Sequence, residues 1–146
     1  MKKIISKITV LSAITFMLSA FLPMPGGEGF EIYLNNKVLV QKFGNFNQVN
    51  NIELSKISTS DKLTVKYYHC GKTGKNRIVS VRDNQNRVLK SFRYPDTTPV
   101  SAMEVPIGEI LRLKGTNAMN LFYSSSELPA GRTLVTMEPA LGIANR

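Results

Sequence analysis

KLTVKYYHC, running from Lys62 to Cys70, is the stretch that decides the fold class. In an extended chain Leu63, Val65, Tyr67 and His69 share one side, and Lys62, Thr64, Lys66, Tyr68 and Cys70 share the other. Such alternation, in β-branched and aromatic residues, marks a strand with one face against a core. The same signature repeats on both sides of it. Downstream, GKTGKN turns the chain, and RIVSVRD (Arg77–Asp83) and RVLKSFRY (Arg87–Tyr94) flank Asn84-Gln85-Asn86 as a hairpin. Upstream, FEIYLN (Phe30–Asn35) and KVLVQKF (Lys37–Phe43) meet at Asn35-Asn36. Asparagine tolerates positive φ, so this pair predicts a tight turn.

The remaining segments are shorter. NFNQVNN (Asn45–Asn51) and PDTTP (Pro95–Pro99) have loop composition, while NIELSKI and SAMEV predict short strands. NLFYS (Asn120–Ser124) and TLVTM (Thr133–Met137) complete the β content, with SSELPAGR between them expected as a loop. PIGEILRLKG holds the one helical candidate, over 107–113, with Gly115 placed as a C-terminal cap. About eight short strands at a spacing of roughly ten residues predict an all-β fold, a two-sheet antiparallel sandwich with one short helix. A β-barrel is the alternative. An α/β fold lacks the crossover helices it needs. The expected core joins Leu63, Val65 and Tyr67 to Val79, Val81 and Leu89.

The N-terminus has a different character. Lys2, Lys3 and Lys7 precede an apolar run from Ile8 to Leu22, which Pro23, Pro25, Gly26 and Gly27 end. Charge, apolar run and breaker in this order describe a secretory signal peptide. The run is shorter than the roughly 20 residues a spanning helix requires. The expected organisation is a signal peptide over 1–20, a flexible segment over 21–29, one β-sandwich domain over 30–138 and a tail over 139–146. The expected location is outside the cytoplasm, in the periplasm or at the cell surface. A mature chain of about 120 residues is one ordinary domain, able to bury a core without metal or disulfide staples.

The chain carries a formal net charge of +9, and removing the leader's three lysines leaves 16 basic against 10 acidic residues. Many of the basic residues fall between Lys62 and Arg93, interleaved with Tyr67, Tyr68, Phe92 and Tyr94. Lys66, Lys72, Lys75, Arg77, Arg82, Arg87, Lys90 and Arg93 are therefore the candidate anion-binding face. An exported protein meets acidic glycans and envelope proteins more readily than nucleic acid. The partner expected is thus an envelope protein or an acidic glycan.

Several chemistries lack their residues. Cys70 is the only cysteine, so no intramolecular disulfide forms. It is expected to be buried, and a reactive thiol if it is not. His69 is the only histidine, which removes the two-histidine copper site, and the four N or S ligands of a structural zinc site are not available. His69 and Cys70, as strand neighbours, point to opposite faces and do not make a dyad. GKTGK (Gly71–Lys75) echoes a phosphate loop, but Lys66 stands where its first glycine belongs. Ser124-Ser125-Ser126 with Glu127 has only His69 to draw on for a hydrolase. No catalytic residue, metal or cofactor is assigned.

FEIYLNN, YYHCG with GKNR after it, RVLKSF and LFYSSSELPAGR together resemble a group of small exported bacterial proteins of no established activity. The resemblance covers most of the mature chain and implies a Gram-negative exported protein, without supplying a site residue. The expected function is a non-enzymatic binding or protein-interaction module of the envelope, engaging an anionic partner. The alternatives are a structural or assembly subunit using exposed strand edges, and an enzyme with a dispersed site.

Overall fold

The computed structural model describes residues 27–96, 102–113 and 117–139. The signal-peptide assignment over 1–20 and the tail beyond Pro139 lie outside them. The chain forms β1 (Glu28–Leu34), β2 (Lys37–Phe43), β3 (Asn50–Glu53), a 3-10 turn (Leu54–Lys56), β4 (Leu63–His69), β5 (Arg77–Arg82), β6 (Val88–Tyr94), β7 (Met103–Val105), α1 (Ile107–Leu111), β8 (Met119–Ser125) and β9 (Leu128–Glu138). They make two sheets, of order β2-β1-β4-β7 and β3-β9-β8-β5-β6. The all-β two-sheet architecture is as the alternation predicts.

The decisive strand behaves as its pattern requires. Leu63, Val65, Tyr67 and His69 are buried, and the residues between them are half-buried. Leu63, Val65 and Tyr67 pack with Phe30, Ile32 and Met103 of their own sheet against Val79, Val81, Leu121, Tyr123 and Val135 of the other. Both asparagine turns form. Asn35 and Asn36 have φ of 50° and 66°, and Asn86 closes the β5–β6 hairpin at φ 63°. Asp83 stabilises that second turn, its carboxylate accepting the backbone N–H of Gln85 and of Arg87 at 2.9 Å each.

Four details differ from the sequence expectation. β1 begins at Glu28, inside the segment expected to be flexible. It starts there because Glu28 pairs with His69 across the ladder and its carboxylate accepts the Tyr67 hydroxyl at 2.7 Å. β9 begins at Leu128, so most of SSELPAGR is strand. Gly131 interrupts it at φ 67°, and a Cβ there would stand 2.1 Å from the Phe122 ring. A glycine bulge therefore lets Phe122 lie across the strand. β3 runs parallel to β9, the one parallel pair of the described strands. Leu89 is 42% exposed instead of buried. Val79 pairs with Phe92, Val81 with Lys90 and Arg82 with Val88, so the ladder skips Leu89, which sits at a bulge on the edge strand beside Leu113 and Met119.

Candidate functional site

The eight basic candidates do not converge on one face. β4 belongs to one sheet and β5 to the other, so the chain changes sheets between Cys70 and Arg77 and divides the basic run. Lys66 projects from the outer face of the first sheet, its ammonium 4.7 Å from the Tyr33 ring centre. Lys72 and Lys75 occupy the β4–β5 connection. Arg77 is buried and donates to the Pro95 carbonyl at 2.7 Å. Arg82 places its guanidinium carbon over the Phe122 ring, 3.5 Å from the ring centre, and donates to Asn86. Arg87 pairs with Asp83 and Lys90 with Glu109, each at 2.6 Å. Arg93 is exposed on β6. Much of this charge therefore serves turns and aromatic contacts within the fold.

His69 and Cys70 separate as the strand pattern predicts, but Cys70 is exposed, not buried. β4 ends at His69, and Cys70 and Gly71 turn the chain with φ of 52° and 82°, closed by Lys72 N–H to His69 carbonyl at 3.0 Å. His69 is enclosed. Its Nε2 lies 2.9 Å from the Tyr123 hydroxyl and 3.4 Å from Ser125 Oγ, and Gly74 covers it so closely that a Cβ would approach Nε2 to 3.0 Å. Burial lowers the His69 pKa against the opposing pull of Glu127 and Glu28, and Arg77 lowers it further. Burial also pushes the Tyr123 hydroxyl up to about 12. Ser125 Oγ accepts the backbone N–H groups of Glu127 and Leu128 at 3.2 Å each. Serine, histidine and carboxylate do come near one another, but in a packed interior where Ser125 and His69 are each 6% exposed. A substrate carbonyl has no approach to that serine in this conformation. The group joins the sheets as a buried polar contact.

The outer face of the first sheet holds a cluster that the sequence reading missed. Glu31 Oε2 accepts the hydroxyls of Tyr33 at 2.5 Å and Tyr68 at 2.7 Å, while Oε1 accepts the Gln41 amide at 2.7 Å. Burial works to raise the Glu31 pKa, but these three donors and nearby Lys66 outweigh it and hold it low. The Tyr68 hydroxyl is raised well above the usual phenol range, by burial and then by Glu31. Because Gln41 is on β2, Glu31 on β1 and Tyr68 on β4, the carboxylate ties the edge strand to two inner strands. Phe43 adds a second tie. Its ring crosses Gly29, where a Cβ would meet it at 2.1 Å, to reach Tyr68 at 5.3 Å between centres.

Among the described residues β2 is the edge of its sheet, with no strand beside one side of its backbone. Among the described residues the exposed large hydrophobics are Val38, Leu39, Phe43, Val49, Val88 and Leu89. The first three are on β2, Val49 is just before β3, and the last two are on β6, the edge of the second sheet. No family model and no curated protein matches the chain. The geometry of the edges therefore carries the functional reading.

Beside β2 a cleft of about 280 Å³ opens toward β3, lined by Leu34, Leu39, Val40, Ile52 and Ile57 with Asn50, Asn51, Glu53 and Lys56 at its rim. Glu53 and Lys56 pair with each other at 2.8 Å. A larger cleft of about 400 Å³ lies beside β7 and α1. Most of its charges are paired: Lys62 with Glu104 at 3.1 Å, Glu109 with Lys90, and Asp61 with Asn35 and the Ser58 N–H, while Arg112 also lines it. No group of three or more His, Cys, Asp or Glu side chains among the described residues is arranged to hold a metal ion. A braced edge with free backbone groups, apolar side chains and a flanking groove has the parts that strand addition uses.

Proposed function

We propose that this chain is an exported, non-enzymatic protein-interaction module of the bacterial envelope that engages its partner along the edge strand β2. The observation that carries this reading is the gathering of exposed apolar side chains on the long edge strands, with Val38, Leu39 and Phe43 on β2. Exposed apolar groups gathered on one element mark interaction surfaces more often than singly scattered ones do. The Glu31 brace holds β2 in place before any partner arrives, which reduces the ordering cost of association. The apolar leader supports export, and the enclosed setting of His69 and Ser125 supports a non-enzymatic role.

The test is capture of cross-linked partners from a bacterial envelope fraction by the full chain and by a Val38→Glu/Leu39→Glu variant. Arg93→Glu, on the opposite sheet, controls for charge, and circular dichroism establishes that each variant is folded. The expected result is a set of captured proteins lost from the β2 variant and retained by Arg93→Glu. Identical sets from all three proteins would overturn the reading.

A further inference from the structure

We infer that the β2 edge accepts an extended acidic segment, with alternating acidic and apolar residues, as an added strand. This rests on the proposal that β2 is the interaction edge and identifies the chemistry of the occupant. Two features of β2 set that chemistry. Val40 and Lys42 are two residues apart, opposite the inward residues Ile32 and Phe30 of β1. Lys37, opposite Leu34, returns to the same side because the pairing skips Leu39 between Val40 and Val38. By this register the groove side of β2 presents Lys37, Val40 and Lys42 in order along the strand, and Val40 lines the cleft with Leu34 and Leu39.

A strand laid along this edge has side chains at alternate positions facing the groove. An apolar side chain opposite Val40 enters the cleft, and acidic ones on either side meet Lys37 and Lys42. Opposite charges across a strand pair stabilise it and like charges oppose it. The same lysines, with the bulge at Leu39, guard β2 against pairing with a second copy of itself, because edge lysines and bulges discourage self-association. An acidic strand removes that guard by neutralising it. Backbone hydrogen bonds to β2 then supply affinity, and the cleft and lysines supply selectivity.

The experiment measures fluorescence anisotropy of the labelled synthetic peptide TETVTET with the purified full chain, beside TKTVTKT and the proline-interrupted TEPVPET. TETVTET is expected to bind at least about tenfold more tightly than either control, and a Lys37→Glu/Lys42→Glu variant is expected to prefer TKTVTKT. Hydrogen exchange with bound TETVTET should slow at β2 amides. Equal binding of TEPVPET and of a TETVTET N-methylated at its valine overturns strand addition, because together these two peptides remove N–H donors from both alternate sets, one of which must face β2. Failure of the charge-reversed variant to switch preference overturns the acidic assignment. Loss of envelope capture in Val38→Glu/Leu39→Glu without binding of TETVTET leaves the edge reading standing and refutes this occupant. A dimer by sedimentation that the same variant dissociates would make a second copy the occupant, and would also refute it.

Discussion

Gln41 donates its side-chain amide to Glu31 at 2.7 Å, a contact that adds a side-chain tie between an edge strand and the interior of its sheet. Edge strands lack a neighbour on one side and fray more readily than central ones. Here Glu31 gathers donors from β2, β1 and β4, and Phe43 reaches over Gly29 to Tyr68. β2 is therefore held in place while it remains open for pairing.

Glu31→Ala should loosen β2 first. Hydrogen bonds to a charged group contribute about 1.5–3 kcal/mol each at most, and the half-exposed tyrosines regain water when released. The expected loss is about 2 kcal/mol, a fall in Tm of several degrees for a domain of this size. Hydrogen exchange should accelerate at Val38–Phe43 more than at Leu63–His69. Uniform acceleration across both strands would show that Glu31 supports the whole fold and not the edge.

Val65→Asp and Leu89→Asp form a paired test of the packing. Val65 is fully buried, so the aspartate there lacks a partner and should cost about 3–5 kcal/mol. Leu89 is 42% exposed on β6, and the same change should stay within about 0.5 kcal/mol. Denaturant titration of both variants gives the comparison. Similar losses would place Leu89 back in the core.

These two residues mark how far the sequence could be read. Alternation within β4 set its buried face correctly, because one strand carries its own period. Leu89 is exposed because the β5–β6 pairing skips it at the sheet edge, and such a bulge depends on the partner strand, which the alternation of one strand does not reveal. The basic run from Lys66 to Arg93 was legible as composition, but its division between sheets depends on where the chain crosses over. Glu31 was invisible for a related reason. Its partners Tyr68 and Gln41 become neighbours only once the register of three strands is known.

Cys70 sits at φ 52°, a conformation that costs an ordinary L-residue about 1–2 kcal/mol and suits asparagine before glycine in a tight hairpin turn. Cys70→Asn should raise stability by about 0.5–1 kcal/mol, seen as a higher denaturation midpoint. The exposed thiol should also react with a maleimide at nearly the same rate in native and denatured protein. Slow native labelling that becomes fast in denaturant would mean that the thiol is covered in solution.

His69 predicts a specific loss of stability in weak acid. Burial holds its pKa in the folded protein below the ordinary value of about 6.5. The unfolded chain therefore binds a proton at a higher pH than the folded one. Stability from this residue is complete above about pH 6.5 and falls as pH drops from there toward the depressed folded value. Glu127 and Glu28 face the ring and moderate the shift, whereas Arg77 deepens it. Glu31 and Glu127 also have lowered pKa values, but their stabilisation is lost only below about pH 4.5, where carboxylates begin to protonate. The two windows are separate. Unfolding free energy measured between pH 7.5 and 5 should decline in the wild-type protein and stay nearly level in His69→Gln, whose amide keeps a hydrogen bond within reach of Tyr123. Both proteins should then lose stability together below about pH 4.5. A decline of equal slope in His69→Gln between pH 7.5 and 5 would show that another group titrates there, and the buried contact between His69 and Tyr123 would no longer account for the response to acid.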